Sequence, residues 1–129
     1  MIDWRAVLAV AIGAAIGGVL RYVVGQLFLQ RFGPGFPYGT LFINVSGSFC
    51  IGIVAQLALT RAFGMTPLVR LFFATGVLGG YTTFSAFELD VLTLLESGAL
   101  PALLYTFASV VLGFGGAALG IIVARVAQR

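Results

Sequence analysis

Two stretches hold most of the residues able to do chemistry in this chain. The first is Gly79-Gly80-Tyr81-Thr82-Thr83-Phe84-Ser85-Ala86-Phe87-Glu88-Leu89-Asp90, in which hydroxyls, two phenylalanines and two carboxylates follow a glycine pair. The second is the row Thr40, Asn44, Ser48, Gly52 and Gln56, whose i, i+4 spacing gives one helix face a polar stripe. Arg21 stands among apolar residues, and Tyr105, Ser109 and Gly113 form a further i, i+4 row. This inventory is poor for covalent catalysis. There is no His and a single Cys, Cys50, in an apolar run, so a nucleophile, base and orienting group of the usual kind cannot be assembled. Glu88 and Asp90, two residues apart, point away from each other on a helix and make no acid–base pair. An enzyme is not expected.

The elements that must position these residues follow from composition. Of 129 residues, 60% are hydrophobic and 9% are charged, with a mean hydropathy of +1.13. A soluble domain carries about a quarter charged residues, so this chain lacks the means to cover itself with a polar surface. It reads as an all-α membrane protein of four spans of about 20 residues, at about 7–28, 40–59, 68–95 and 101–126. The first apolar run is longer than a signal-peptide core of about 7–15 residues, so no cleavable leader is expected. The net charge of +3 comes from arginines alone, with no basic cluster of the kind nucleic-acid binding needs. Cys50 has no partner for an intrachain disulfide and reads as a packing residue.

The third span is too long to be simple. Gly76, Gly79 and Gly80 each cost a helix about 1 kcal/mol relative to alanine, and two β-branched threonines follow. A break is expected near 79–83; the alternative is that the glycines only admit a close neighbour. Irregular backbone at membrane depth is tolerated where protein covers it or where it lines a wet cavity. Freed carbonyls there can hold a cation, and freed N–H groups can face an anion. In the first span, Gly13, Gly17, Arg21 and Gly25 share one face. Arg21 sits about 10 Å inside the span's end at Phe28, so it pairs, lines a hydrated path or snorkels to the interface. The polar stripe of the second span reads as the wall of a hydrated path, with interhelical hydrogen bonding as the competing account. Residues 31–38, with two prolines and two glycines, form a loop. Pro101 suits the first turn of the last helix, in which Gly116, Gly120 and Ala124 form a second small-residue row. Arg5, Arg61, Arg70, Arg125 and Arg129 fall on one side of a four-span chain and only Arg31 on the other. The positive-inside rule then puts both termini in the cytoplasm.

These motifs together resemble the Fluc (CrcB) fluoride channels of microbial membranes. The resemblance spans essentially the whole chain: Gly17-x-x-x-Arg21, Gly39-Thr40-Leu41-x-x-Asn44-x-x-Gly47, Gly79-Gly80-x-Thr82-Thr83-Phe84-Ser85-x-Phe87 and Tyr105-x-x-x-Ser109. The third motif is the specific one. The resemblance implies a multi-pass protein of the microbial plasma (inner) membrane that releases fluoride passively and so confers fluoride resistance. It implies an antiparallel, dual-topology homodimer with two fluoride pores and a structural Na⁺ at the centre of the dimer interface. Backbone carbonyls of Gly79 and Thr82 would hold the Na⁺. Phe84 and Phe87 would be the pore phenylalanines and Asn44 the pore amide. Thr40, Ser85, Tyr105 and Ser109 would be polar pore lining, with Arg21 at the pore mouth.

The chain departs from the family pattern in three places. Ala86 and Glu88 stand where Ser or Thr is frequent, and Asp90 where Glu is common. The five-to-one arginine bias opposes insertion in both orientations, and some family members pair with an oppositely oriented paralogue. The main rival is a small four-helix multidrug/proton exchanger, which shares size and dual topology. Its chemistry needs a deep carboxylate in the first span, and here that span has Arg21 and no acid. A non-transporting assembly subunit is argued against by the polar stripe.

Overall fold

The computed structural model describes residues 1–129 as helices joined by short links. Helix α1 is Trp4–Phe32 and α2 is Tyr38–Thr60. After a 3₁₀ turn at Ala62–Gly64 comes α3, residues 67–81, which is α-helical at Pro67–Arg70, π-helical at Leu71–Leu78 and α-helical again at Gly79–Tyr81. Helices α4, Phe84–Ser97, and α5, Ala99–Ala127, complete the chain. Helices α1, α2 and α5 are long and apolar enough to cross a membrane. The segment expected as one long span is divided between α3 and α4.

Local signals set the ends. Asp3 caps α1, its Oδ1 accepting from the Arg5 N–H at 2.9 Å. The helix runs past the expected Phe28 to Phe32 and stops at Gly33, whose positive φ of 74° glycine adopts without a Cβ penalty. Thr66 caps α3 with Pro67 at its first position. Thr83 caps α4, its Oγ1 accepting from the Ala86 N–H at 3.2 Å.

The small-residue rows are helix crossings. Gly13 and Gly17 of α1 lie against the α3 backbone at Phe72, Gly76 and Val77, and Gly80 lies against Ala14. A Cβ on Gly17 would meet the Val77 carbonyl oxygen. Helices α2 and α5 meet the same way, with Gly52 on the Ala117 carbonyl and Gly120 on that of Phe49. Backbones this close gain dispersion contacts that larger side chains would prevent. The internal core is small. Only 12 of the 129 residues are buried, so most of the apolar surface is left for lipid or another chain to cover.

The polar stripe of α2 does not serve one purpose along its length, contrary to the expectation that all of it walls a hydrated path. Gly52 is packed on α5. Gln56 is 8% exposed, and its Oε1 accepts from Arg125 Nε of α5 at 3.1 Å. That half of the stripe ties α2 to α5, because an unpaired amide among apolar helices would be costly. Only the Thr40, Asn44 and Ser48 half borders open space.

Candidate functional site: an extended pair of threonines between two grooves

Glycines 79 and 80 stay helical. The residues that leave helical conformation are Thr82, with φ −77° and ψ 159°, and Thr83, with φ −151° and ψ 125°. Gly80 serves a close approach to Ala14 of α1, where a Cβ would clash. The departure falls where side chains from other helices replace the lost helical bonds. Asn44 Nδ2 donates to the Thr83 carbonyl at 2.8 Å, and Asn44 Oδ1 accepts from the Thr83 N–H at 2.8 Å. One amide thus satisfies both backbone groups of an extended residue, as a neighbouring strand would. Arg21 Nη1 of α1 donates to the Thr82 carbonyl at 3.3 Å. The Thr82 hydroxyl donates back to the Leu78 carbonyl at 2.8 Å, and its methyl group rests on Gly47, where a Cβ would clash. Tyr81, just before, pairs its hydroxyl with Ser46 Oγ at 3.0 Å.

Two grooves of about 370 Å³ each flank this stretch, and Thr83 lines both. Asn44, Ser48, Phe84, Phe87 and Ser109 border the first, along with Gly79 and Thr82. Arg21, Thr40, Ala86 and Asp90 border the second. The expected site residues are therefore gathered, but in two groups. Phe84 and Phe87 lie with ring centroids 5.6 Å apart, and Phe84 is 70% exposed. Ser109 Oγ is buried and has no hydrogen-bond partner. Ser85 borders neither groove; it is exposed, with its hydroxyl 3.4 Å from Thr83 Oγ1. Tyr105 borders neither groove and is fully buried. Its hydroxyl donates to Asp90 Oδ2 at 3.1 Å, and its ring lies 5.4 Å from Phe87.

The Asn44 amide keeps one N–H beyond the bond to Thr83. Helix α4 begins at the first groove, and a helix N-terminus carries partial positive charge. With the Ser109 hydroxyl and the positive rims of two aromatic rings, the groove offers weak donors and no full charge. It can receive a small anion without trapping it. Sequence reasoning did not find the Ser46–Tyr81 hydroxyl pair, the Asp90 bond to Tyr105 or the π-helical turn. Residues 35 or 15 positions apart leave no periodic signal, whereas the Thr-Thr-Phe-Ser motif did mark the extended stretch.

A profile of the family described as "CrcB-like protein, Camphor Resistance (CrcB)" matches residues 8–121. The chain belongs to the CrcB family. A family relative from Rhizobium meliloti, named "Fluoride-specific ion channel FluC", is 55% identical over 105 residues, covering 81% of this chain and 83% of its own. A relative of the same name from Nitrobacter winogradskyi is 48% identical over 124 residues, covering 95% and 98%. Another from Roseiflexus sp. is 49% identical over 121 residues, covering 93% and 97%. CrcB relatives thus match nearly from end to end, and they are named as channels rather than enzymes.

Proposed function

We propose that this chain is a fluoride-selective ion channel of the inner membrane that lets fluoride leave the cytoplasm passively. The working unit is an antiparallel pair of chains with four spans each, the third being α3 and α4 together, and with two pores and a central Na⁺. The carrying observation is the pair of hydrogen bonds between Asn44 and Thr83. It holds the chain extended at membrane depth and starts α4 so that Phe84 and Phe87 border the groove. Fluoride there meets ring edges, the remaining Asn44 N–H and the Ser109 hydroxyl, a set favourable enough to enter and weak enough to leave. A narrow path of this kind resists larger halides sterically. An interior-negative potential favours exit of one negative charge by about 2.3 kcal/mol per 100 mV. Arg21 and Thr40, in the second groove, belong to the mouth rather than the ring pair.

The Na⁺ rests on the family resemblance, and the residues present fit it. Gly79 is exposed, and the Thr83 N–H that a continuous helix would direct to its carbonyl goes to Asn44 instead. The Thr82 carbonyl has a second lone pair beyond its bond from Arg21. The carbonyl oxygens of Gly79 and Thr82 would suit a hard cation, and such an ion would supply a fixed positive charge between two copies.

Purified protein in fluoride-loaded liposomes, followed with a fluoride electrode, tests the reading. Efflux is expected once valinomycin and K⁺ carry the compensating charge. A preparation that moves a cationic dye against a proton gradient and leaves fluoride inside would instead be an exchanger.

A further inference from the structure

The link between α1 and α2 sends a side chain inward. Gly33, Pro34 and Gly35 cross the end of α1, and Phe36 then turns into the cluster formed by Leu94, Ala102 and Tyr105, against which Phe87 also packs. Its backbone is fixed by the next residue. Pro37 has φ −79° and ψ 57°, and the Tyr38 N–H donates to the Phe36 carbonyl at 2.8 Å, which is an inverse γ-turn with φ held by the proline ring.

From Phe36 a chain of rings leads to the first groove. Phe36 lies 4.7 Å from Tyr38 on one side. On the other it meets Tyr105 at 5.5 Å and an interplanar angle of 86°, an edge-to-face contact. Tyr105 then lies 5.4 Å from Phe87, and Phe87 lies 5.6 Å from Phe84. Tyr105 is fully buried and tied to α4 through Asp90. With Phe36 on one flank and Phe87 on the other, its ring cannot shift without moving one of them, since packed interiors transmit displacement.

We infer that Phe36 is a positioning residue for the pore rings: through Tyr105 it sets the plane that Phe87 presents to the groove. The inference rests on the fluoride-channel reading, because only there does the orientation of Phe87 matter to flux. Phe36 also borders the second groove, but its ring pairs with neither Phe84 nor Phe87, so its hold on the ring pair runs through Tyr105.

The test is fluoride efflux from liposomes, normalised to folded protein by size exclusion, with the fluoride-to-chloride ratio measured alongside. Phe36→Leu, apolar but without a ring edge, is expected to slow fluoride by about 10-fold to about 100-fold, as sub-ångström to ångström misplacement does, and to lower that ratio. Phe36→Tyr keeps the edge and restores most of the flux. Phe36→Leu combined with Phe87→Ile should be no slower than Phe87→Ile alone, the non-additivity expected of two residues on one path. A residue needed only for folding would reduce the folded fraction and leave the ratio and the coupling unmoved. Should Phe36→Leu not elute as folded protein, Phe36→Met is read the same way. Wild-type protein that passes no fluoride defeats the channel reading. Wild-type flux accompanied by unimpaired Phe36→Leu, or by defects that multiply in the double variant, defeats the role of Phe36.

Discussion

Asn44 and Phe84 divide the work of the first groove between structure and conduction, and substitution separates the two. Asn44→Ala removes both partners of the part-buried Thr83 backbone, and a backbone group left unpaired costs up to about 1–3 kcal/mol. Thermal unfolding in detergent should therefore occur at a lower temperature, with fluoride efflux severely slowed. Asn44→Asp keeps an acceptor for the Thr83 N–H but sets an acceptor-only carboxylate against its carbonyl, so it is expected to unfold at least as readily as Asn44→Ala. Phe84 is different, being 70% exposed and supporting little of the fold. Phe84→Ile should lose flux while unfolding within a few degrees of wild type. If Asn44→Ala unfolds like wild type, the amide is not what holds the chain extended. If Phe84→Ile conducts like wild type, its ring does not line the path.

At the scale of elements, the glycine pattern was legible and its meaning was only half so. The rows Gly13–Gly17 and Gly116–Gly120 announced helix crossings, because a backbone approach needs small residues wherever it occurs. The partners across each crossing were not readable, since they depend on how the helices are threaded together. The irregular stretch was legible from Thr82-Thr83-Phe84-Ser85, yet its place two residues beyond the glycines depends on Asn44, 39 positions away. The stripe on α2 misled for the same reason: Gln56 looked like its neighbours until Arg125 of α5 supplied a partner. Paired substitutions check the crossing of α1 on α3. Gly17→Ala places a Cβ against the Val77 carbonyl, whereas a Cβ on adjacent Gly18 meets nothing within 4 Å. Gly17→Ala should lower the unfolding temperature clearly. Gly18→Ala should leave it level or raise it, because alanine is favoured over glycine in a helix by about 1 kcal/mol. Equal effects at the two positions would mean that α1 does not lie on α3 as described.

At the scale of the whole molecule, the chain leaves its most polar backbone at an open groove, and lipid cannot cover that. The Gly79 carbonyl loses the Thr83 N–H to Asn44, Gly79 is exposed beside the first groove, and unsatisfied backbone polar groups do not face hydrocarbon. A second copy is the simplest cover, and light scattering of the purified protein should give twice the 13.5 kDa chain mass. Orientation is the harder question. Two inverted copies of one sequence require insertion both ways, and in a four-span chain the arginines would argue for one: Arg5, Arg61, Arg70, Arg125 and Arg129 would fall on one side and Arg31 on the other. Not all of them act at the surface with equal freedom, because Arg125 is turned onto Gln56 between α2 and α5. The measurement belongs in intact cells expressing this chain alone, with Cys50→Ala and a single cysteine in place of Gln128. About half of the cysteines are expected to react with an impermeant maleimide added outside, the signature of dual topology. Complete protection in a chain that still conducts when co-expressed with an oppositely oriented relative would make the working pair heteromeric. The two grooves and the Asn44 contacts to Thr83 would stand unchanged, since both lie within one chain.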